Sequence, residues 1–450
     1  MFDLGIIGAG PAGYTAAERA ADNGLSVVLF EKDNVGGVCL NTGCIPTKTL
    51  LHSAKVYNTV KEASLYGIEA GSPSCDLSKV VSRKNKVVKV LTKGVEAALK
   101  SRKVTLVRGA CTIQGIKDGQ ITLLSGDDQY ECGDILIATG SEPFIPPIKG
   151  ADSDAVLTST ELLDTESIPE KLVVIGGGFI GLEFACFFAT LGTGVTVVEM
   201  MDRIAPGMDG ETAEMLCKDL SRAGVAFSLS SKVTRIEGNT VLYETKDTEE
   251  SVSGDIILMC VGRRPVIEGF GLENLSVETE NGCIPVDEQC RTNHPHVYAA
   301  GDVNGRSMLA HTAVREAEVA VNVLSGRKDR MRYHAVPGVV YTEPEAASAG
   351  YTEEALKQEG RPYAVLKLPM GFSGRFKAEY ERKNGMCKIL VGKKHREILG
   401  VHMVGGGCSE MIYGAAMMIE TELRTDDMKE IIFPHPTVSE IIRETLLTDH

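Results

Sequence analysis

The chain has 450 residues, 43% of them hydrophobic and 24% charged, with a formal net charge of −14. That length calls for two to four domains, and that composition belongs to a soluble globular chain rather than a disordered one. The acid excess argues against nucleic acid as the main partner, yet leaves room for anionic cofactors held by backbone N–H groups at helix N-termini.

The chain opens MFDLGIIGAG with no cationic leader, from which a cytoplasmic location is expected. From residue 3, DLGIIGAGPAGYTAAERA reads as a short apolar strand, a G-x-G-x-x-G turn (Gly8, Gly10, Gly13) and a helix. A second apolar run, SVVLFE, ends at Glu31, and GGVCLNTGCIPTK (36–48) follows with Cys39 and Cys44. Residues 80–100 predict a long amphipathic helix whose lysines form a solvated face. GDILIATGSEP (133–143) predicts a buried strand, and the proline-rich EPFIPPIKG (142–150) a boundary.

The first pattern then returns. KLVVIGGGFIGLEFACFF, from residue 171, carries Gly176, Gly178 and Gly181, and VTVVE ends at Glu199. In both copies the acid falls 23 residues after the first glycine. Stretch 172–192 is long enough to cross a bilayer, but Glu183 and the glycines before its helical part mark a buried strand, turn and helix. GDIILMCVGRRP (254–265) repeats the logic of 133–143. After about residue 330, VVYTEPEAASAG and CKILVGKKHREILGVHMVG predict an α+β domain with antiparallel strands.

A lone G-x-G-x-x-G is weak evidence. Between strand and helix, with an acid about 20 residues on, it specifies a dinucleotide site. The first glycine makes the turn, the second admits the pyrophosphate and the third lets helix meet strand. Two copies with one internal spacing imply two dinucleotides. Most of the twelve cysteines, such as Cys186 and Cys260, sit in apolar runs and read as inert core. Cys39 and Cys44 lie in a polar, glycine-flanked stretch. Zinc would want a second ligand pair, which His52 and Cys75 do not form, and a c-type haem would want C-x-x-C-H. A structural disulfide stays open, although so short a loop gains little from it. A redox dithiol is the favoured reading.

G-G-x-C-x-x-x-x-C-x-P-x-K resembles the active-site motif of the pyridine nucleotide–disulfide oxidoreductases, and the likeness spans the whole chain. YAAGDV (298–303), SMLAH (307–311), TEPEAASAG (342–350) and FPHPTVSE (433–440) all have counterparts there. The resemblance implies an α/β fold of two Rossmann-like domains, for FAD and NAD, and a C-terminal α+β dimerisation domain. The expected segments are 1–143 for FAD, 144–265 for NAD, 266–331 completing the FAD site, and 332–450 for the homodimer interface. It also implies roles. Cys39 is the thiol that exchanges with substrate, Cys44 faces the flavin, and His435 is the base, held by Glu440 and supplied by the other subunit. FAD is expected at Gly8, Gly10, Gly13, Glu31, Lys48, Ala110, Gly140, Asp302, Met308, Leu309, Ala310 and His311. NAD is expected at Gly176, Gly178, Gly181, Glu183, Glu199, Val233 and Gly262. Lys48 and Glu183 are expected to pair near the flavin.

Among members, the dihydrolipoyl branch fits best, through GCIPTK, VVEMMDRIAPGMD and HPTVSE. The implied reaction oxidises protein-bound dihydrolipoamide to lipoamide and reduces NAD⁺. Glu199 favours NAD because a carboxylate accepts from a ribose 2′-OH and repels a 2′-phosphate, Arg203 notwithstanding. Thr47 and Val266 replace the family's usual serine and asparagine. The flavin fingerprint starts within ten residues, so the lipoyl groups are expected on a separate protein, of a 2-oxoacid dehydrogenase or glycine cleavage system. No nucleic acid, membrane or metal is expected. The rival readings are an NAD(P)H-dependent reductase of another disulfide, such as glutathione disulfide, and a catalytically idle FAD/NAD-binding subunit.

Overall fold

The computed structural model describes residues 1–380 and 383–449, which divide into two compact units. The first unit comprises 1–49, 79–144 and 262–332. Its sheet runs Thr105–Arg108, Val27–Glu31, Phe2–Ile7, Asp128–Ile137, Gln120–Ser125, Thr112–Lys117, with Val297–Ala299 also beside Asp128–Ile137. The first four strands and Val297–Ala299 pair in parallel, and the last two are antiparallel additions. Val27–Glu31 is buried at every position, as parallel strands covered on both faces must be.

The helix Pro11–Asp22 starts immediately after the first strand, with Gly10 extended at its N-cap and Pro11 fitting the first turn. Two glycines make that start feasible. Gly8 turns at φ +100, and a Cβ on Gly13 would stand 1.8 Å from the Gly8 carbonyl oxygen. The expected amphipathic helix spans Leu77–Ser101.

The second unit comprises 50–78, 145–261 and 333–450. It repeats the scheme: strands Val225–Ser228, Gly194–Val198, Lys171–Ile175, Ile256–Met259 and Val156–Leu157 form a parallel sheet. Helix Phe179–Thr190 follows the central strand, and eight of its residues are buried. The run 172–192 is therefore strand, turn and core helix, and no helix among the described residues is long and apolar enough to cross a membrane.

The same unit holds the C-terminal antiparallel sheet, in the order Gly338–Val340, Ala346–Gly350, Ile398–Val404, Met386–Gly392, Tyr363–Pro369. Two of its three inner strands, Met386–Gly392 and Ile398–Val404, are buried at every residue. Lys388 on one of them is 1% exposed. Its ammonium lies 2.9 Å from Asp209, 2.6 Å from Glu353 and 3.4 Å from Glu211. Asp209 immediately precedes the helix Gly210–Arg222, so this ion cluster ties the nucleotide-type fold to the antiparallel sheet.

Candidate active site

The two fingerprint turns share their hydrogen bonding as well as their spacing. Glu31 accepts from the Ala9 N–H at 2.8 Å and the Asp33 N–H at 2.9 Å, one through each carboxylate oxygen. Glu199 accepts from Gly177 at 2.5 Å and Met201 at 2.7 Å in the same way. Each acid thereby fixes its own glycine turn and keeps lone pairs for a ligand hydroxyl. The helices that follow, at Gly10 and Gly178, have no side-chain cap. Their first N–H groups and the positive end of the dipole suit a pyrophosphate. A Cβ added at Gly178 would meet nothing within 4 Å, so the approach is open there. These features fit two dinucleotides.

The cysteine segment is fastened to the first turn. Gly36 N–H donates to the Ala9 carbonyl at 2.8 Å, and a Cβ on Gly37 would come within 2.6 Å of Gly10 Cα. Cys39 sits in the short helix Gly37–Asn41, and Cys44 begins the helix Cys44–Lys61. Asn41 closes the intervening loop by donating to the Val35 and Gly37 carbonyls. Neither cysteine is in a disulfide; the two sulfurs are hydrogen-bonded to each other, and both are half-buried. That hydrogen bond first, then burial, raises the Cys39 thiol above its ordinary value, and the Lys48 cation works against them. Lys48 stands one turn beyond Cys44 on the same helix face. Tyr14 lies within electrostatic reach of both sulfurs: burial, then Cys39, raises its phenol.

All the residues expected to meet FAD fall in the first unit. Asp302 follows Gly301 beyond the Val297–Ala299 strand, and Met308–His311 form the entry to helix Ala310–Leu324, with Met308 and His311 exposed and Leu309 and Ala310 half-buried. Gly140 (φ +70) follows the Asp128–Ile137 strand, and Ala110 is exposed beyond Thr105–Arg108. The motif reading missed three residues. Buried Glu316 accepts from Gly301 N–H at 2.6 Å, and Ser141 donates to Asp302 at 2.5 Å. Arg263 in turn grips Ser141. Ser141 and Arg263 lie in segments whose repetition was visible, but repetition did not indicate that they pair with one another.

The second unit holds the residues expected at NAD, except Gly262, which opens a segment of the first. Val233 is half-buried in the meander strand Ser231–Glu237. Glu183 is 4% exposed and accepts from Tyr341 N–H at 3.2 Å. Its expected partner Lys48 belongs to the first unit. Arg203 is paired with Glu354 at 3.0 Å. The HPTVSE segment is organised by Glu440, which accepts from His435 Nδ1 at 2.9 Å and from Thr437 N–H at 2.9 Å. The imidazole is 79% exposed, so its Nε2 edge is open to a reactant. The Thr437 N–H, then His435, hold the Glu440 carboxyl below its ordinary value.

Residues 2–317 match the family model of pyridine nucleotide-disulphide oxidoreductases, and residues 336–446 match that family's dimerisation domain. The chain belongs to the pyridine nucleotide-disulphide oxidoreductases. Similar members of the family include a dihydrolipoyl dehydrogenase of Bacillus subtilis, 38% identical over 99% of this chain and 98% of the relative. Dihydrolipoyl dehydrogenase 3 of Pseudomonas putida is also 38% identical, over 99% of this chain and 97% of its own. Among solved structures, LpdA of Mycobacterium tuberculosis matches with a TM-score of 0.92 at 26% identity, covering 99% of both chains. The HOCl-induced flavoprotein disulfide reductase RclA of Escherichia coli matches with 0.88 at 28% identity, covering both chains fully. The dimerisation-domain match makes a homodimer the natural assembly for this oxidoreductase.

Proposed function

We propose that this oxidoreductase is an NAD-dependent dihydrolipoyl dehydrogenase that holds FAD in its first unit. The observation that carries the proposal is the hydrogen-bonded thiol pair, Cys39 and Cys44, fastened to a dinucleotide-type glycine turn. Relatives of that name, similar over nearly the whole chain, support the choice of substrate.

In the proposed cycle a substrate thiolate attacks the Cys39 sulfur of the oxidised pair. The Cys39–Cys44 bond breaks, and the electron pair leaves on Cys44 as a thiolate. That sulfur sits at the positive end of the helix it begins, where negative charge is favoured. His435, oriented by Glu440, takes the proton from the second substrate thiol. This thiolate attacks the first substrate sulfur, lipoamide closes as a disulfide, and Cys39 is released. FAD would be held by the first unit's glycine turn with Glu31 and Asp302, and would supply a two-electron acceptor for the dithiol and a hydride donor for NAD⁺. Lys48 provides fixed positive charge beside the pair. His435 serves the cysteines of the second copy, which makes the homodimer the working form. The parts of the machine are residues 1–143 with 266–331 for FAD, 144–265 for NAD, and 332–450 for the interface. A lipoyl-bearing protein is the partner, and the cytoplasm the compartment.

Glu199 favours NAD over its 2′-phosphorylated form, and Arg203, the cation that would argue otherwise, is engaged by Glu354. The rival reading, a reductase of a different disulfide, draws on the likeness to RclA. Steady-state rates decide between them. Turnover of dihydrolipoamide with NAD⁺ is expected, and activity confined to glutathione disulfide with NADPH would overturn both substrate and cofactor.

A further inference from the structure

Asp302 is held by a relay that no motif names. Its Oδ2 accepts from the Ser141 hydroxyl at 2.5 Å. Arg263 approaches Ser141 twice, with Nε 2.7 Å from the hydroxyl oxygen and an Nη2 2.7 Å from the backbone carbonyl. A small antiparallel ladder makes this grip, pairing Ser141–Pro143 with Arg263–Pro265 in the register Ser141 to Pro265 and Arg263 to Pro143. Ser141 is 5% exposed, so solvent offers its hydroxyl little alternative.

A serine hydroxyl has one proton and two lone pairs. Because Arg263 can only donate, it occupies a lone pair and leaves the proton a single productive direction, towards Asp302. We propose that Arg263 is a positioning residue of the flavin site: by clasping both Ser141 oxygens it orients the hydroxyl, which holds Asp302 for the ribityl hydroxyls of FAD. The inference rests on the reading of Asp302 as the residue that meets the flavin. Glu316 secures the same turn from the other side, through Gly301, so Asp302 is fixed at its backbone and at its carboxylate. Burial pushes the Arg263 guanidinium down, and Asp302 and then Cys44 counter it. Lysine can replace it only in part, since an ammonium lacks the planar fork that spans two oxygens.

The test is FAD binding by the apoprotein, followed through quenching of flavin fluorescence. Ser141→Ala and Arg263→Gln are each expected to raise the FAD dissociation constant at least tenfold, with Arg263→Lys in between. The double variant is expected to be no worse than the poorer single one, because both break the same relay. Apoprotein melting points and near-UV circular dichroism check that the variants fold. Should Arg263→Gln fail to fold, Ser141→Ala and Arg263→Lys carry the comparison. Unchanged FAD affinity in the variants, or effects that multiply in the double variant, would overturn the inference. A wild-type protein that takes up no FAD would instead overturn the reading of Asp302 itself.

Discussion

Cys44 and Glu440 separate the two jobs that the proposed chemistry needs done. With Cys44→Ser, no Cys39–Cys44 bond can form, so dihydrolipoamide oxidation is expected to fall at least a thousandfold, with Cys39 still open to alkylation. Wild-type turnover by this variant would sink the dithiol scheme. Glu440→Gln leaves one acceptor for two donors, the His435 ring and the Thr437 N–H. Its kcat is expected to drop by no more than the roughly 10²–10⁴ that a positioned base contributes. Glu440 has a lowered folded value, so its contribution is complete above the ordinary glutamate range and is lost as pH falls through that lowered value. The carboxylate is therefore ionised, and able to orient the ring, throughout the range above the ordinary glutamate value. These residues were legible in the sequence because each lies in a short contiguous motif. Ser141, Arg263 and Glu316 were not, since their roles come from contacts with residues 122, 161 and 15 positions away.

The strand–turn–helix units were legible for a steric reason: the backbone admits few ways to turn so sharply into a helix. In the second copy, a Cβ at position 181 would stand 2.2 Å from the Gly176 carbonyl oxygen and 2.8 Å from Cys260 Sγ. Gly181→Ala must push the helix off its strand, at about 1–3 kcal/mol by analogy with overpacked cores. A lower melting point and a raised KM for NAD⁺ are expected, and an unchanged KM would mean that the turn does not bind the nucleotide. The C-terminal strands were legible as antiparallel, but not the charge on one of them. Nothing in CKILVG announces that Lys388 is buried among three acids from two other stretches of chain.

At the scale of the molecule, that lysine joins two kinds of architecture within the second unit. Lys388→Met would leave Asp209 buried without its cation, a change that typically costs about 3–5 kcal/mol. The variant should melt well below wild type, and an unchanged melting point would show the cluster to be dispensable. Acid should undo this region in two stages. Burial keeps His402 below its ordinary 6.5, so from there downward the unfolded chain takes a proton that the folded one refuses, and stability falls. Glu353 behaves differently: burial opposes its charge, but Lys388 and Tyr363 overcome this and set it to about 2. Its contribution is complete above the ordinary glutamate value and is lost as pH drops towards 2. Calorimetry across pH 2–8 would resolve both stages.

The carboxylates that tie the two glycine turns also constrain how this protein could be retargeted. In the proposed site Glu199 would repel a 2′-phosphate, and it is also the acceptor for Gly177 and Met201. Removing it to admit a phosphorylated nucleotide would orphan two backbone donors and loosen the loop that any nucleotide needs. Glu199→Ala is therefore expected to bind both nucleotides poorly, as a KM comparison would show, rather than to exchange one preference for the other. A change of coenzyme would have to come as a coordinated pair of substitutions, one supplying a cation and the other a new acceptor for the turn. Intermediates carrying only one would lie in a fitness valley.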